Sequence, residues 1–379
     1  MIYLDSAATT FQKPPAVARA MTEALASMSS PGRGGHPLAM RAADTAFRCR
    51  TELAELFGLD GPEGVAFTLN ATHALNIAIK SLVPPGGRVV ISGYEHNAVT
   101  RPLHAIPGLS VTVIDTPPFR PDLAAEEFCR AIRQKRPRAV ICTHVSNVFG
   151  AVLPVEDIAR CCREMDTPLI VDASQSAGVL PVDLAGWGAA FVAMPGHKGL
   201  YGPQGTGLLL CGAEGKPLLY GGTGSMSRLQ DMPPDLPDRL EPGTHNMPGI
   251  AGLLEGIRFV RRQGVESIAA RERQVALRAA RGLESLPGVR VFWDRELQHQ
   301  TGVVSFVTEG RDCEAVGEAL ARRGIALRAG LHCAPLAHRT AGTLDTGTLR
   351  LSASFFNTPD QADRLVWAVS RVLRENVEL

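Results

Sequence analysis

Pro195-Gly196-His197-Lys198-Gly199-Leu200-Tyr201-Gly202-Pro203 follows directly on the apolar run Ala189 to Met194. A short apolar run closed by proline and glycine reads as a buried strand, and the glycine-flanked turn behind it sets one lysine at the strand's end. The chain before it repeats the theme: Val65 to Leu69, Val89 to Ser92, Val111 to Asp115, Ala139 to Val145 and Pro168 to Ala173 alternate with helical stretches. Such alternation predicts a mainly parallel sheet covered by helices. Thr206 to Cys211 comes too soon after the lysine turn to leave room for a crossover helix. It is therefore expected to run antiparallel to the strand before it, and the fold class is α/β around a seven-stranded sheet.

From Gly221 to Gly243 the chain is rich in Gly, Pro and Met and loses its apolar periodicity, so a long loop is expected there. Helical stretches over Ile250 to Gln263 and Val265 to Leu286 precede a shorter α/β section. Thr358-Pro359-Asp360-Gln361 carries the marks of a helix start, with a capping residue, a proline at the first helical position and a glutamine three residues on. A second, smaller α/β unit is predicted at the C-terminal end. Gly202-Pro203-Gln204-Gly205-Thr206-Gly207 superficially resembles a dinucleotide fingerprint, but it leads into a strand and not a helix, which discards it.

At 379 residues the chain can bury a full core, and its 39 basic and 38 acidic residues give no reason to expect nucleic acid or an anionic membrane as a partner. Small molecules and a second copy of the chain are the expected partners. No basic segment followed by an apolar core opens the chain, and no apolar run is long enough to span a bilayer. The eight cysteines follow no disulfide-scaffold spacing, which suits a reducing cytoplasm.

Lys198 is a candidate for covalent chemistry with an aldehyde cofactor, because a lysine whose pKa falls through burial or a nearby cation supplies a free amine. Pro168-Leu169-Ile170-Val171-Asp172 reads as a second buried strand that ends in an acid, the group needed to keep a pyridinium nitrogen protonated. Either residue alone is more simply an ordinary polar residue at a strand end. Paired in this order, they point to pyridoxal 5'-phosphate (PLP).

With Leu4-Asp5-Ser6-Ala7-Ala8-Thr9-Thr10, Tyr94-Glu95-His96-Asn97, Ser146-Asn147-Val148-Phe149-Gly150, Glu241-Pro242-Gly243-Thr244, Arg328-Ala329-Gly330-Leu331-His332-Cys333-Ala334-Pro335 and Gly347-Thr348-Leu349-Arg350, the chain resembles the class V aminotransferase-type PLP enzymes over almost its whole length. Within that class it is similar to the cysteine desulfurase and selenocysteine lyase family. The resemblance implies the PLP-dependent transferase fold type I, with a large PLP-binding domain over residues 14–248 and a small domain formed by 1–13 and 249–379. It also implies a homodimer that acts on L-cysteine and passes sulfur to an acceptor protein.

Asn70 to Asn76 opens a helix after a strand, and the free N–H groups of such a start bind phosphate. A simple N-cap would serve the same residues equally well. The resemblance assigns Ala71 and Thr72 to the cofactor phosphate, with His197 as a further donor and Thr244 reaching it from the neighbouring subunit. It stacks His96 on the pyridine ring and sets Asn147 and Gln175 near the ring's phenolic oxygen. One departure stands out: many relatives carry a hydroxyl residue where this chain has Pro195, which offers neither a hydroxyl nor an N–H.

Cys333 lies between glycine and proline on an expected exposed, mobile loop and is the candidate nucleophile. A small buried hydrophobe is the plainer reading of a lone cysteine. A metal site made with His332 and His338 lacks a supporting fourth ligand. The resemblance gives Arg350 the substrate carboxylate, for which a planar guanidinium fork is suited, and puts Arg328 and His36 in the substrate pocket. Arg33 and His36 read equally well as a solvated loop. The implied reaction turns L-cysteine into L-alanine and leaves a persulfide on Cys333, with Lys198 or His96 as the base and the cations His332 and Arg328 favouring the thiolate. The alternatives are a selenocysteine lyase, another class V enzyme, and a PLP-binding sulfur-relay partner that turns over poorly.

Overall fold

A computed structural model describes residues 1–375 apart from Arg33. The N-terminal strand β1 (Ile2–Tyr3) is followed by helices α1 (Pro15–Ser27) and α2 (Pro37–Phe57). Then come β2 (Val65–Thr68), α3 (Ala71–Leu82), β3 (Arg88–Ser92), α4 (Asn97–His104), β4 (Ser110–Ile114), α5 (Pro121–Lys135) and β5 (Ala139–Thr143). The alternation continues through α6 (Val155–Glu164), β6 (Leu169–Asp172), the short α7 (Leu184–Trp187), β7 (Phe191–Pro195) and β8 (Gly207–Cys211).

These strands form one seven-stranded sheet in the order β2-β8-β7-β6-β5-β3-β4. β3 to β7 pair in parallel, whereas β8 runs antiparallel to both β7 and β2, as its short connection requires. Helices cover both faces, so the central strands have no solvent side and read as unbroken apolar runs: every residue of β5, β6 and β7 is buried.

Helices α8 (Met247–Gln263) and α9 (Val265–Glu284) lead to β9 (Val289–Phe292), β10 (Val303–Thr308), α10 (Cys313–Arg322), β11 (Ile325–Ala326), β12 (Arg328–Gly330), α11 (Pro335–Thr340), β13 (Thr348–Ser352) and α12 (Pro359–Arg374). A four-stranded sheet of order β12-β13-β10-β9 has a core of its own with α9, α10 and α12. α8 instead buries Ile250, Leu253, Leu254 and Ile257 in the core of the large sheet. The helix start expected at Thr358 is present as a reciprocal capping box with Gln361. β1 pairs in parallel with β11, so the first residues of the chain belong to the C-terminal layers, and the segment after Leu4 crosses back to the large sheet.

Among the described residues, no helix is long and apolar enough to cross a membrane. The cysteines depart from the sequence reading at one place. Cys129 on α5 and Cys161 on α6 are joined in a disulfide, and the other six are free. The helices pack side by side and bring the two thiols together across 32 residues, a pairing that no local spacing announces.

Candidate active site

In an open parallel sheet the strand ends and the helix starts behind them converge on one crevice, and that crevice is where ligands bind. Here it is lined by Ala71 and Thr72 at the start of α3, His96 after β3, Asn147 after β5, Asp172 at the end of β6, Gln175 beyond it, and His197 and Lys198 behind β7. Residues from five segments of the sequence thus meet around one lysine. Ser174 and Pro195 complete the same wall.

Asp172 is 2% exposed, and its Oδ1 accepts from the backbone N–H of Ser174 at 2.9 Å. Burial pushes the Lys198 ammonium down to about 8; Asp172 opposes that shift, and the arginines Arg350 and Arg328 add to it. His96 caps α4, with Nδ1 accepting from the N–H of Ala98 at 3.0 Å. Its ring is therefore neutral with the proton on Nε2, and burial takes its pKa down to about 4. Behind the crevice, Glu95 is fully buried and pushed up to about 8; one of its oxygens accepts from Ser92 Oγ at 2.5 Å and from Thr143 N at 2.7 Å, and the other has no partner.

The residues fit PLP on three structural grounds. The free N–H groups of α3 face the cleft beside Thr72 and His197 and suit a phosphate. Asp172 brings a buried carboxylate to the cleft, suited to a protonated ring nitrogen. Lys198 carries an amine that is partly free near neutral pH.

Arg350, on β13, is 2% exposed. Its Nη1 donates to the main-chain oxygen of Asn147 at 2.8 Å, its Nη2 donates to Oδ1 of Asp5 at 2.7 Å, and its Nε has no partner. Arg328 stands opposite it in the register of β12 and β13. Asn147 also donates its side-chain amide to the oxygen of His332 at 2.9 Å, so the residue next to Cys333 is tied to the residue that holds the arginine.

Cys333 is exposed, and it and His332 both adopt left-handed backbone, with φ of 55° and 51°. The turn is pinned, because the oxygen of Cys333 accepts from the N–H of Asn97 at 2.8 Å, one residue from His96. The loop is exposed as expected, and its turn is tied by hydrogen bonds to Asn97 and Asn147. The sequence also counts His332 as a cation beside the thiol. In the structure its ring is buried against Thr348, Arg350 lies close by, and its pKa falls to about 2, so it is neutral.

Two assigned residues lie elsewhere. His36 caps α2 through Nδ1, which accepts from Ala39 N at 3.4 Å, and it is exposed. Thr244 lines a separate cavity beside Phe67, His73, Glu241 and His245. Arg33 lies outside the described residues.

What the sequence did not reveal is the N-terminal strap. From Asp5 to Lys13 it touches one site residue after another: Arg350 through Asp5, Gln175 through the oxygen of Ala7 at 3.0 Å, and the His197 turn through Thr9, Thr10 and Lys13. Asp5 and Thr9 stand in the motif Leu4 to Thr10, which marks the family resemblance without assigning either residue a task.

This crevice and the sheet that builds it define a PLP-dependent transferase of fold type I. The aminotransferase class-V family model matches residues 2–365, and the chain belongs to that family. A probable cysteine desulfurase of Mycolicibacterium paratuberculosis is 34% identical over 98% of this chain, which spans 55% of that relative's length. Probable cysteine desulfurase 2 of Mycobacterium leprae is 33% identical over 98% of this chain and 92% of its own. Among solved structures, the apo cysteine desulfurase of Thermococcus onnurineus NA1 superposes with a TM-score of 0.90 at 30% identity, covering 98% of this chain and 94% of its own. The cysteine desulfurase CsdA of Escherichia coli, solved with an S-sulfonic acid, gives 0.84 at 28% identity over 98% and 94%.

Proposed function

We propose that the chain is a PLP-dependent cysteine desulfurase that converts L-cysteine to L-alanine and carries the sulfur as a persulfide on Cys333. The observation that carries this reading is the bridge through Asn147, which ties a buried arginine suited to a carboxylate to the pinned turn that exposes a cysteine. An enzyme that only moved amino groups would need the arginine and the lysine but not the thiol.

When bound, PLP supplies the electron sink for bond breaking at the substrate's Cα and Cβ. The chain's own residues do the rest. Arg350 has its Nε and part of its fork free to grip the substrate carboxylate. Lys198, near 8, is a better proton acceptor at neutral pH than His96, near 4, and we assign it the α-proton. Asp172 would hold the ring nitrogen, and the Asn147 and Gln175 amides, which each spend one N–H on His332 and Ala7, would have their second N–H for the cofactor. The Cys333 thiolate forms the new S–S bond as the substrate's C–S bond breaks, and the electron pair and a proton pass to the carbon skeleton. One cysteine and one thiol thus become one alanine and one persulfide, with no outside oxidant.

A neighbouring copy would complete the phosphate site through Thr244. Thr244 lies outside its own chain's crevice, as a contact made from a second subunit requires. For the domains we propose 14–248 and 1–13 with 249–379, with α8 at the boundary packed onto the core of the large sheet. A thiol that must stay reduced to take up sulfur suits the cytoplasm, and a protein thiol is the acceptor we propose. The test is the product profile of the purified protein with L-cysteine, with L-selenocysteine, and with L-alanine plus a keto acid. Alanine and a persulfide from L-cysteine support the proposal. Turnover of selenocysteine alone would make the chain a lyase, and amino transfer alone would remove the sulfur chemistry.

A further inference from the structure

The N-terminal strap converges on His197. The main-chain oxygen of His197 accepts from Thr10 N at 3.1 Å, from Thr10 Oγ1 at 3.0 Å and from Lys13 Nζ at 2.9 Å. Thr9 Oγ1 lies 3.3 Å from that oxygen but 3.0 Å from Nδ1 of the same residue's ring. A carbonyl offers two lone pairs, and Thr10 N and Lys13 Nζ already fill them here, while the one Thr10 Oγ1 proton is shared with the Lys198 oxygen at 3.2 Å. The single Thr9 proton therefore has its open acceptor at the ring nitrogen.

We infer that Thr9 is a positioning residue that fixes His197 in the tautomer carrying its proton on Nε2, so that the ring presents an N–H donor to the phosphate end of the crevice. The inference rests on reading that end, beside Ala71 and Thr72, as the place of the PLP phosphate.

The tautomer matters because the ring is neutral. Burial first, and then Lys198 and Lys13, lower the His197 pKa to about 4, so the imidazole has one N–H to give. With that proton on Nδ1, a lone pair would point at a phosphate oxygen; with it on Nε2, a donor does. Nε2 makes no hydrogen bond among the described residues, so it is free to do so. Pro195 on the same wall has no N–H, which leaves the imidazole's donor with more of the work. Lys13 supports the arrangement from below. Half-buried, lowered to about 8 by that burial and without an acidic partner among the described residues, it occupies the carbonyl that Thr9 would otherwise bond.

The test uses the full chain labelled with 15N-histidine, stripped of cofactor and then titrated with PLP. Long-range proton–nitrogen correlation identifies the tautomer, and a His197→Asn sample assigns the signal. The wild type should show Nε2 protonated and Nδ1 bare. Thr9→Val should move the proton toward Nδ1 and weaken PLP binding about tenfold, and Thr9→Ser, which keeps the hydroxyl, should restore both. Protonated Nδ1 in the wild type overturns the inference. So does an unchanged tautomer in Thr9→Val, even with weaker binding, since that would be a packing effect. Failure of the wild type to bind PLP at all would remove the cofactor reading, while the tautomer of the ligand-free protein would still decide the role of Thr9.

Discussion

Oδ1 of Asp5 accepts from Nη2 of Arg350 at 2.7 Å across 345 residues of sequence. The pair joins the first loop of the chain to its last strand. Arg350 is buried and Asp5 partly exposed, so removing Asp5 leaves a buried charge without its partner, at a cost of about 3 kcal/mol. Asp5→Ala should therefore lower stability to urea by about that amount, and Asp5→Asn, which keeps an acceptor oxygen, by less than half of it. Equal losses in the two variants would mean that the pair is not what holds Arg350.

Arg350→Lys keeps the charge and loses the planar fork. We expect kcat/KM for L-cysteine to fall by about 100-fold, since truncating a buried, hydrogen-bonded charge contact costs about 2–5 kcal/mol, while the cofactor's absorbance is retained. Steady-state kinetics beside the visible spectrum separate the two effects. A bleached variant would show that the arginine acts on the cofactor site and not on the substrate.

Lys198 should become covalently labelled when the PLP-loaded protein is treated with borohydride and its peptides are mapped. Its lowered pKa sets the pH dependence of the capture of free PLP by the stripped protein. Below about 8 the amine is mostly protonated and cannot attack, so the rate should rise about tenfold per pH unit on the acid side and level off above 8. Stopped-flow absorbance reads it directly. A rate still climbing steeply above pH 9 would mean that the burial effect is absent.

Much of this was legible in sequence because a doubly covered parallel sheet writes itself as apolar runs, and Asp172 and Lys198 mark where two of those runs end. The antiparallel turn of β8 could be read from the length of a connection alone. What stayed hidden depends on long-range contact. Thr9 and Lys13 reach His197 across more than 180 residues, and nothing local to either says so. The neutrality of His332 was invisible for the same reason: its burial comes from Thr348 and Arg350 on another strand. Cys129 and Cys161 meet only because α5 and α6 pack together.

Cys333→Ser should keep the cofactor spectrum, because the thiol takes no part in the crevice around Lys198. Alanine and persulfide formation from L-cysteine should fall at least 100-fold, for want of a nucleophile to receive the sulfur. Selenocysteine should retain partial turnover, since its weaker C–Se bond breaks more readily without attack. Wild-type alanine production in this variant would replace the persulfide route with simple elimination.

Thr244→Val should weaken PLP binding if that hydroxyl serves a second subunit's phosphate. Occupancy should then follow the dimer when the protein is diluted, as read by sedimentation together with cofactor absorbance. Full occupancy in a demonstrated monomer would show that each chain completes its own site.

The turn at His332 and Cys333 has a kinetic consequence for delivery. Two successive non-glycine residues in left-handed backbone cost on the order of 1 kcal/mol or more each, and the turn is held in that shape by Asn97 and Asn147. With the main chain held at these two contacts, rotation of one short side chain is the motion the turn leaves to the sulfur. On the proposed persulfide route, release is then a bimolecular event, and turnover at saturating L-cysteine should scale with the concentration of an acceptor thiol.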